Sequence, residues 1–306
     1  MPPLLFTITI GLLGLFIGSF LNVVIHRYPL EEETVSHPRR SRCGSCGHTL
    51  AWYENIPLLS WLAQRGRCRH CGAGVSGRYP LVEALTAVLW LLAVRAGGGV
   101  EAWPVVLTMG LVLSGLVAAT FVDLDCMEIP DSVSIGGMVL GPVLSLLVPE
   151  LHGESYLALQ FSDGAEELTR FGALVSSLAG LAAGWGVLYL VGALGSRAFG
   201  KEAMGFGDVK LLGAGGAFVG PGGVAMALMI ASFLASIAGV VNMGRFYCLI
   251  RGRARRRGVP KPIGRALSAA RVLGRYLPFG PYLAVGIGIA LLYWNDVLVL
   301  VLSGAR

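Results

Sequence analysis

The chain has 306 residues, 55% of them hydrophobic and only 14% charged, with a mean hydropathy of +0.69 and a formal net charge of +6. A soluble globular domain carries about 25% charged residues. These values exclude an ordinary soluble domain and predict an all-α polytopic membrane protein, with topology set by where the basic residues fall.

Residues 4–25 form an apolar run long enough to span, since about 20 residues cross a bilayer. No basic stretch precedes it and no small-residue cleavage site closes a short apolar core. A retained first helix is expected, not a signal peptide. Asn22 on this helix is either a helix–helix hydrogen bond or part of a polar site.

Residues 26–79 form a long polar insertion. It carries two C-x-x-C pairs, Cys43/Cys46 and Cys68/Cys71, while Cys126 and Cys248 stand alone. Each pair points two thiolates at one centre, and two such knuckles at this separation build a tetrahedral structural zinc site. The competing readings are redox dithiols or disulfides, and a reducing compartment disfavours the latter. Four thiolates leave no open position for water, so the metal is expected to hold the insertion together. His48 and His70 are expected as solvated histidines. Trp52 to Pro57 reads as a packed or membrane-resting loop.

Hydropathy predicts further helices over about 80–94, 104–122, 133–148, 171–194, 211–219, 222–243 and 277–302, giving about eight crossings with the first. The chain then divides into the first helix (1–25), the insertion (26–79) and a membrane core (80–306) with a basic loop at 245–276. All Lys and Arg except Arg95, Arg170 and Arg306 lie in the insertion, the 195–210 loop or the 245–276 loop. By the positive-inside rule these segments share the cytoplasmic face, and the acidic 150–169 loop lies outside. The basic loop reads as a topology determinant drawn to anionic lipid headgroups. No aromatic platform accompanies it, so no nucleic-acid partner is expected.

Two acidic motifs fall at that face. Gly205-Phe206-Gly207-Asp208-Val209-Lys210 places a carboxylate and an ammonium in a glycine-rich turn at the mouth of an apolar segment. Asp123, Asp125, Glu128 and Asp131 cluster at the end of the third helix. Ionisable groups near hydrocarbon are costly and mark function. The plain alternative makes Asp208 a helix cap with Lys210 reaching back to water. Two carboxylates brought together cannot both ionise cheaply, so one keeps a proton and the pair can activate a water for attack on a peptide carbonyl. Asp131 reads as a cap for the fourth helix. Asp125 is either a partner of the site or a solvated neighbour. The physics leaves the catalytic choice open between Asp123 and Asp125. Gly205 and Gly207 would leave room for an extended substrate backbone.

The run Gly18 to Arg27, the paired knuckles, Val122 to Asp131, Gly205 to Leu211 and Pro278-Phe279-Gly280-Pro281 together resemble the bacterial prepilin leader peptidases of type IV pilus and type II secretion systems. The G-x-G-D element is also similar to presenilin-type intramembrane aspartyl proteases. The resemblance implies an inner-membrane enzyme that cuts the basic leader of prepilins and pseudopilins after glycine at the cytoplasmic face. It also implies N-methylation of the new terminus with S-adenosylmethionine. Carried over by position, the catalytic aspartates are Asp123 and Asp208, supported by Gly205, Gly207, Lys210 and Asp125, and the zinc ligands are the four knuckle cysteines. Cys126 and Glu128 depart from the family's usual histidine and apolar residue. The cofactor site is not visible: there is no glycine-rich nucleotide loop, and Glu54, Asn55 and Asn22 are the candidates at the insertion's edge. The rival from another class is an ion-coupled transporter using membrane-edge aspartates, which would call for an internal repeat. The sequence is silent on oligomeric state.

Overall fold

The computed structural model describes residues 2–30, 35–38, 40–153, 169–200, 204–256 and 278–304. Among them the structure is helical, with isolated β-bridges that include Arg42–Thr49 and Arg67–Gly74, and no strand. The order is α1 (Pro3–Arg27), a polar module with a 3-10 turn (Trp52–Asn55) and the short α2 (Leu59–Ala63), α3 (Arg78–Ala96), α4 (Trp103–Cys126) and α5 (Asp131–Leu147). A second 3-10 turn (Pro149–His152), α6 (Arg170–Phe199), α7 (Phe206–Arg256) and α8 (Gly280–Gly304) follow. α1, α3, α4, α6 and α7 are long and apolar enough to cross a membrane, and α5 and α8 are shorter apolar helices beside them. The chain is a multi-pass membrane protein.

α7 is not one straight rod. Gly220 adopts φ 67° and ψ 177°, a conformation open to glycine, and Pro221 has no N–H to continue the ladder. Val219 then meets Gly223, and Val224 meets Gly216. Gly215 and Ala227 touch adjacent residues of α8, Ile287 and Gly286. A straight helix would hold residues 215 and 227 about 18 Å apart. The two arms, α7a (206–219) and α7b (221–256), therefore double back on each other. Counting the arms separately recovers the eight apolar segments expected from hydropathy.

Two boundaries differ from the expectation. α7a begins at Phe206, five residues early, so Gly207, Asp208 and Lys210 lie in helix and only Gly205 lies in the preceding turn. The helical pattern of α7b continues through the basic stretch to Arg256, while the rest of the basic loop, 257–277, lies outside the described residues. Most of the acidic loop, 154–168, also lies outside them.

The core sits where α4, α7 and α8 meet. Leu113, Leu211, Leu212, Leu283 and Ile287 are fully buried there. α6 packs onto α7a with Gly180 against Gly216 and Gly184 against Leu212, close enough that a Cβ would strike backbone. Small residues at such crossings let helices gain dispersion contact where lipid supplies no hydrophobic drive. At the end remote from the polar module, His152 is 2% exposed and hydrogen-bonds Ser145 Oγ at 2.9 Å. Burial pushes its imidazole down to about 4.

Candidate active site and metal centre

α4 carries Asp123 one turn before its end. The helix stops because Met127 turns left-handed (φ 57°) and donates its N–H to the Asp123 carbonyl at 2.9 Å. Four residues later α5 begins, so Ile129 is folded back beneath the carboxyl. Asp123 is 5% exposed, and its Oδ2 has no hydrogen-bond partner among the described residues. The backbone N–H of Gly280 faces the same carboxyl. A Cβ at position 280 would lie 2.5 Å from Oδ2 and 3.2 Å from Ile129 Cδ1, so any larger residue there would displace the Asp123 carboxyl.

Asp208 enters from the first turn of α7a. The Asp123 carboxyl acts electrostatically on Asp208. Gly205 is exposed, and a Cβ on it would sit 3.7 Å from Asp208 Oδ2. A Cβ on Gly207 would instead lie 3.3 Å from Ile129 Cβ. A side chain there would crowd the α4–α5 link.

The neighbouring acids are occupied differently. Asp125 accepts from Arg78 Nη1 at 2.8 Å through both oxygens and is partly exposed. Asp131 does not cap α5: Pro130 holds the N-cap position with no side-chain bond, and Asp131 pairs with Lys210. Lys210 also lies over the Phe206 ring at 5.4 Å. The two pairs flank the aspartates and join α3 to α4 and α5 to α7a. They separate Asp123, buried with an unengaged oxygen, from Asp125, held in an exposed ion pair.

The module repeats itself over 25 residues. Arg42–Thr49 and Arg67–Gly74 are equivalent bridges, and Gly47 (φ 71°) and Gly72 (φ 72°) close matching turns. Cys43 and Cys68 accept at their carbonyls from those glycines, both at 2.9 Å. The four sulfurs of Cys43, Cys46, Cys68 and Cys71 lie within 4.8 Å of one another, with Cys43 and Cys71 3.9 Å apart. Tetrahedral zinc–thiolate bonds of about 2.3 Å require sulfurs about 3.8 Å apart. A disulfide would require about 2.05 Å. The donor set fits zinc. Backbone N–H groups of Cys46 and Ser45 hold the Cys43 thiol down to about 6, the thiolate form a metal needs. His48 and His70 are stacked, rings 4.6 Å apart, and are not part of the four-sulfur cluster.

Between module, α1 and α3 lies a cavity of about 710 Å³. Its lining includes Asn22, Glu54 and Asn55, the three candidates named from the sequence, together with Ser19, Tyr79 and Glu83. Asn22 donates to the Tyr79 carbonyl at 3.0 Å, so both readings of Asn22 hold: it bridges helices and faces a polar site. Glu54 accepts from Ala51 N–H at 2.9 Å. Glu83 accepts from Leu58 N–H at 2.8 Å. Leu58 is held at φ 60°, a backbone a branched residue rarely adopts. Glu83 was missed in the sequence, although a carboxylate inside an apolar helix was itself a signal. Arg78 was counted only as a topology charge, and Gly280 was noted without a role.

Comparison with known proteins places this arrangement. Residues 12–96 match the Bacterial Peptidase A24 N-terminal domain and residues 110–240 match the Type IV leader peptidase family. A Myxococcus xanthus protein named prepilin leader peptidase/N-methyltransferase is 40% identical over 82% of this chain and 65% of its own length. Proteins of that name from Aeromonas hydrophila and Pseudomonas aeruginosa are 36% and 32% identical, each over 96% of this chain and 92% of their own length. No solved structure matches the chain. The chain belongs to the type IV leader peptidase family.

Proposed function

We propose that this chain removes the basic leader of prepilins and pseudopilins and then N-methylates the new terminus, as the names of its relatives describe. The observation that carries the peptidase half is the buried Asp123 carboxyl, with one oxygen that has no hydrogen-bond partner among the described residues and a charge that acts on Asp208. Buried polar atoms are otherwise almost always hydrogen-bonded. The pair shares one proton. The ionised carboxylate takes a proton from water as its oxygen attacks the scissile carbonyl. The protonated partner donates to the developing oxyanion, and the proton then passes to the leaving amine. Gly280 keeps the Asp123 face clear for the substrate backbone, and Gly205 does so for Asp208. An ion-coupled transporter gains no support from the family.

The cavity at Asn22, Glu54, Asn55 and Glu83 is the site for S-adenosylmethionine, which supplies the methyl group when bound. Its volume is within the usual 300–1,000 Å³ of small-molecule sites. The carboxylates offer acceptors for ribose hydroxyls and for the sulfonium charge. The four cysteines hold zinc as a cross-link. In the cell the module, the aspartates and the basic end of α7b face the cytoplasm of the inner membrane, where anionic lipid meets the basic stretch.

The test uses purified enzyme, a prepilin and intact mass. Wild type is expected to remove the leader, and to add one methyl when S-adenosylmethionine is present. Leader removal that survives in Asp208→Asn would overturn the aspartyl mechanism.

A further inference from the structure

One side chain joins the two halves of the site. Arg78 opens α3, seven residues after Cys71. The chain between them is pinned throughout. Cys68 N–H bonds the Ala73 carbonyl at 2.8 Å, and Val75 N–H bonds the Gly66 carbonyl at 2.7 Å. Trp61 Nε1 donates to the Val75 carbonyl at 3.1 Å, and Ser76 Oγ accepts from the Arg78 N–H at 3.2 Å. On the far side, Asn22 of α1 holds the Tyr79 carbonyl. The backbone at Arg78 therefore moves with the four-cysteine module and not independently of it.

The guanidinium crosses to α4. Nη1 donates to both oxygens of Asp125 at 2.8 Å, and Nη2 donates to the Phe121 carbonyl at 3.0 Å. The plane lies 4.9 Å from the centre of the Phe121 ring. Phe121 and Asp125 stand two residues before and two after Asp123, so a single arginine grips α4 on both sides of that aspartate. The pair is about one-third exposed, and exposed ion pairs add about 0–1 kcal/mol to stability. Holding the fold is thus a small part of what this contact can do. Its geometry is the larger part: a planar fork on a carboxylate, a carbonyl and a ring face fixes orientation in a way an ammonium cannot.

We propose that Arg78 is a positioning residue for the peptidase reaction, transmitting the seat of the cysteine module to Asp123 through Asp125 and Phe121. It does not touch the reacting atoms. The proposal rests on Asp123 being catalytic. A misplacement of about 1 Å at a reacting group costs up to about a hundredfold in rate, so a small tilt of the last turn of α4 is enough.

The experiment measures kcat and KM for prepilin cleavage in Arg78→Gln, Arg78→Lys, Asp125→Asn and the Arg78→Gln/Asp125→Asn double variant, with Asp123→Asn alongside. Metal content per chain is measured on the same preparations. The expected result is a loss of about tenfold or more in kcat for Arg78→Gln with KM within twofold and metal content unchanged. Asp125→Asn should lose a similar factor. The double variant should be no worse than the more affected single one, because the two residues act as one unit. Arg78→Lys should recover only part of the rate. Additive losses, a loss confined to KM, or full recovery by lysine would overturn the proposal. Full activity in Arg78→Gln with Asp123→Asn inactive would overturn it and leave the aspartyl reading standing. Activity in Asp123→Asn would remove that reading itself. If Arg78→Gln fails to fold, the Asp125→Asn variant, altered at an exposed position, carries the same kcat-against-KM test.

Discussion

The cysteine module and the helical core keep their chemistry in place by opposite means. Between residues 40 and 77 the module buries only Pro57 and Cys68, and Cys68 belongs to the four-sulfur cluster. The core buries Leu113, Leu211, Leu212, Leu283 and Ile287 completely, and Asp123, near the end of α4, is 5% exposed. A region without an apolar interior depends on cross-links, while a helix bundle depends on close packing at small residues. The two regions are vulnerable in different places: the cavity at Asn22, Glu54 and Glu83 leans on the module, while Asp123 leans on the core and, through the Arg78–Asp125 contact, on the module's seat as well.

The comparison breaks most visibly at the metal. Cys43→Ser/Cys68→Ser, or chelation of wild type, should release the metal and open residues 40–77 to protease. Methyl transfer should fall about a hundredfold or more, while the helices 103–304 keep their melting behaviour. Metal content, limited proteolysis and product mass read all three, and metal loss with an intact module would break the distinction. Gly280→Ala attacks the core side. The added methyl would meet Asp123 Oδ2 at 2.5 Å, and cleavage should fall about tenfold to a hundredfold with methyl transfer to a pre-cleaved pilin unchanged.

A sharper separation comes from the cavity. Glu54→Ala should weaken S-adenosylmethionine binding about tenfold, seen by calorimetry, and leave leader removal within twofold. An effect on stability alone is expected at the remote end. His152 is held neutral in the fold, with its imidazole near 4 against about 6.5 when unfolded. A folded value below the unfolded one gives stability that is complete above about pH 6.5 and is lost as pH falls toward 4. The loss totals roughly 3 kcal/mol. The wild type should therefore lose more melting temperature between pH 7 and 4 than His152→Asn, in which Asn carries no titrating proton.

Much of this was legible in the residues. The two C-x-x-C spacings named the sulfur cluster, because thiolate geometry is local and short-range. The gap between the apolar runs ending at 219 and resuming at 222 marked the α7 hairpin, because Gly220-Pro221 breaks a helix by its own chemistry. The choice between Asp123 and Asp125 was not legible from charge alone. What sets the two apart in the structure is Arg78, which lies in a different segment and pairs with Asp125, while Asp123 is buried. The start of α7a was misread because glycines suggest a turn, yet Gly207 here lies in helix and serves a contact with Ile129. Asp131 looked like a cap until Lys210 was brought to it from another helix. Gly280 against Asp123 joins parts of the chain that no local pattern connects.

Asp123 and Asp208 are expected to do the cutting, and nothing else in the enzyme is expected to need their carboxyls. The direct measurement takes Asp123→Asn and Asp208→Asn, pairs each with an intact prepilin and with a pre-cleaved pilin, and reads product mass in the presence of S-adenosylmethionine. The account predicts no leader removal above about one-thousandth of wild type in either variant, with methylation of the pre-cleaved pilin retained. Leader removal in either variant, with the metal still bound, would contradict it.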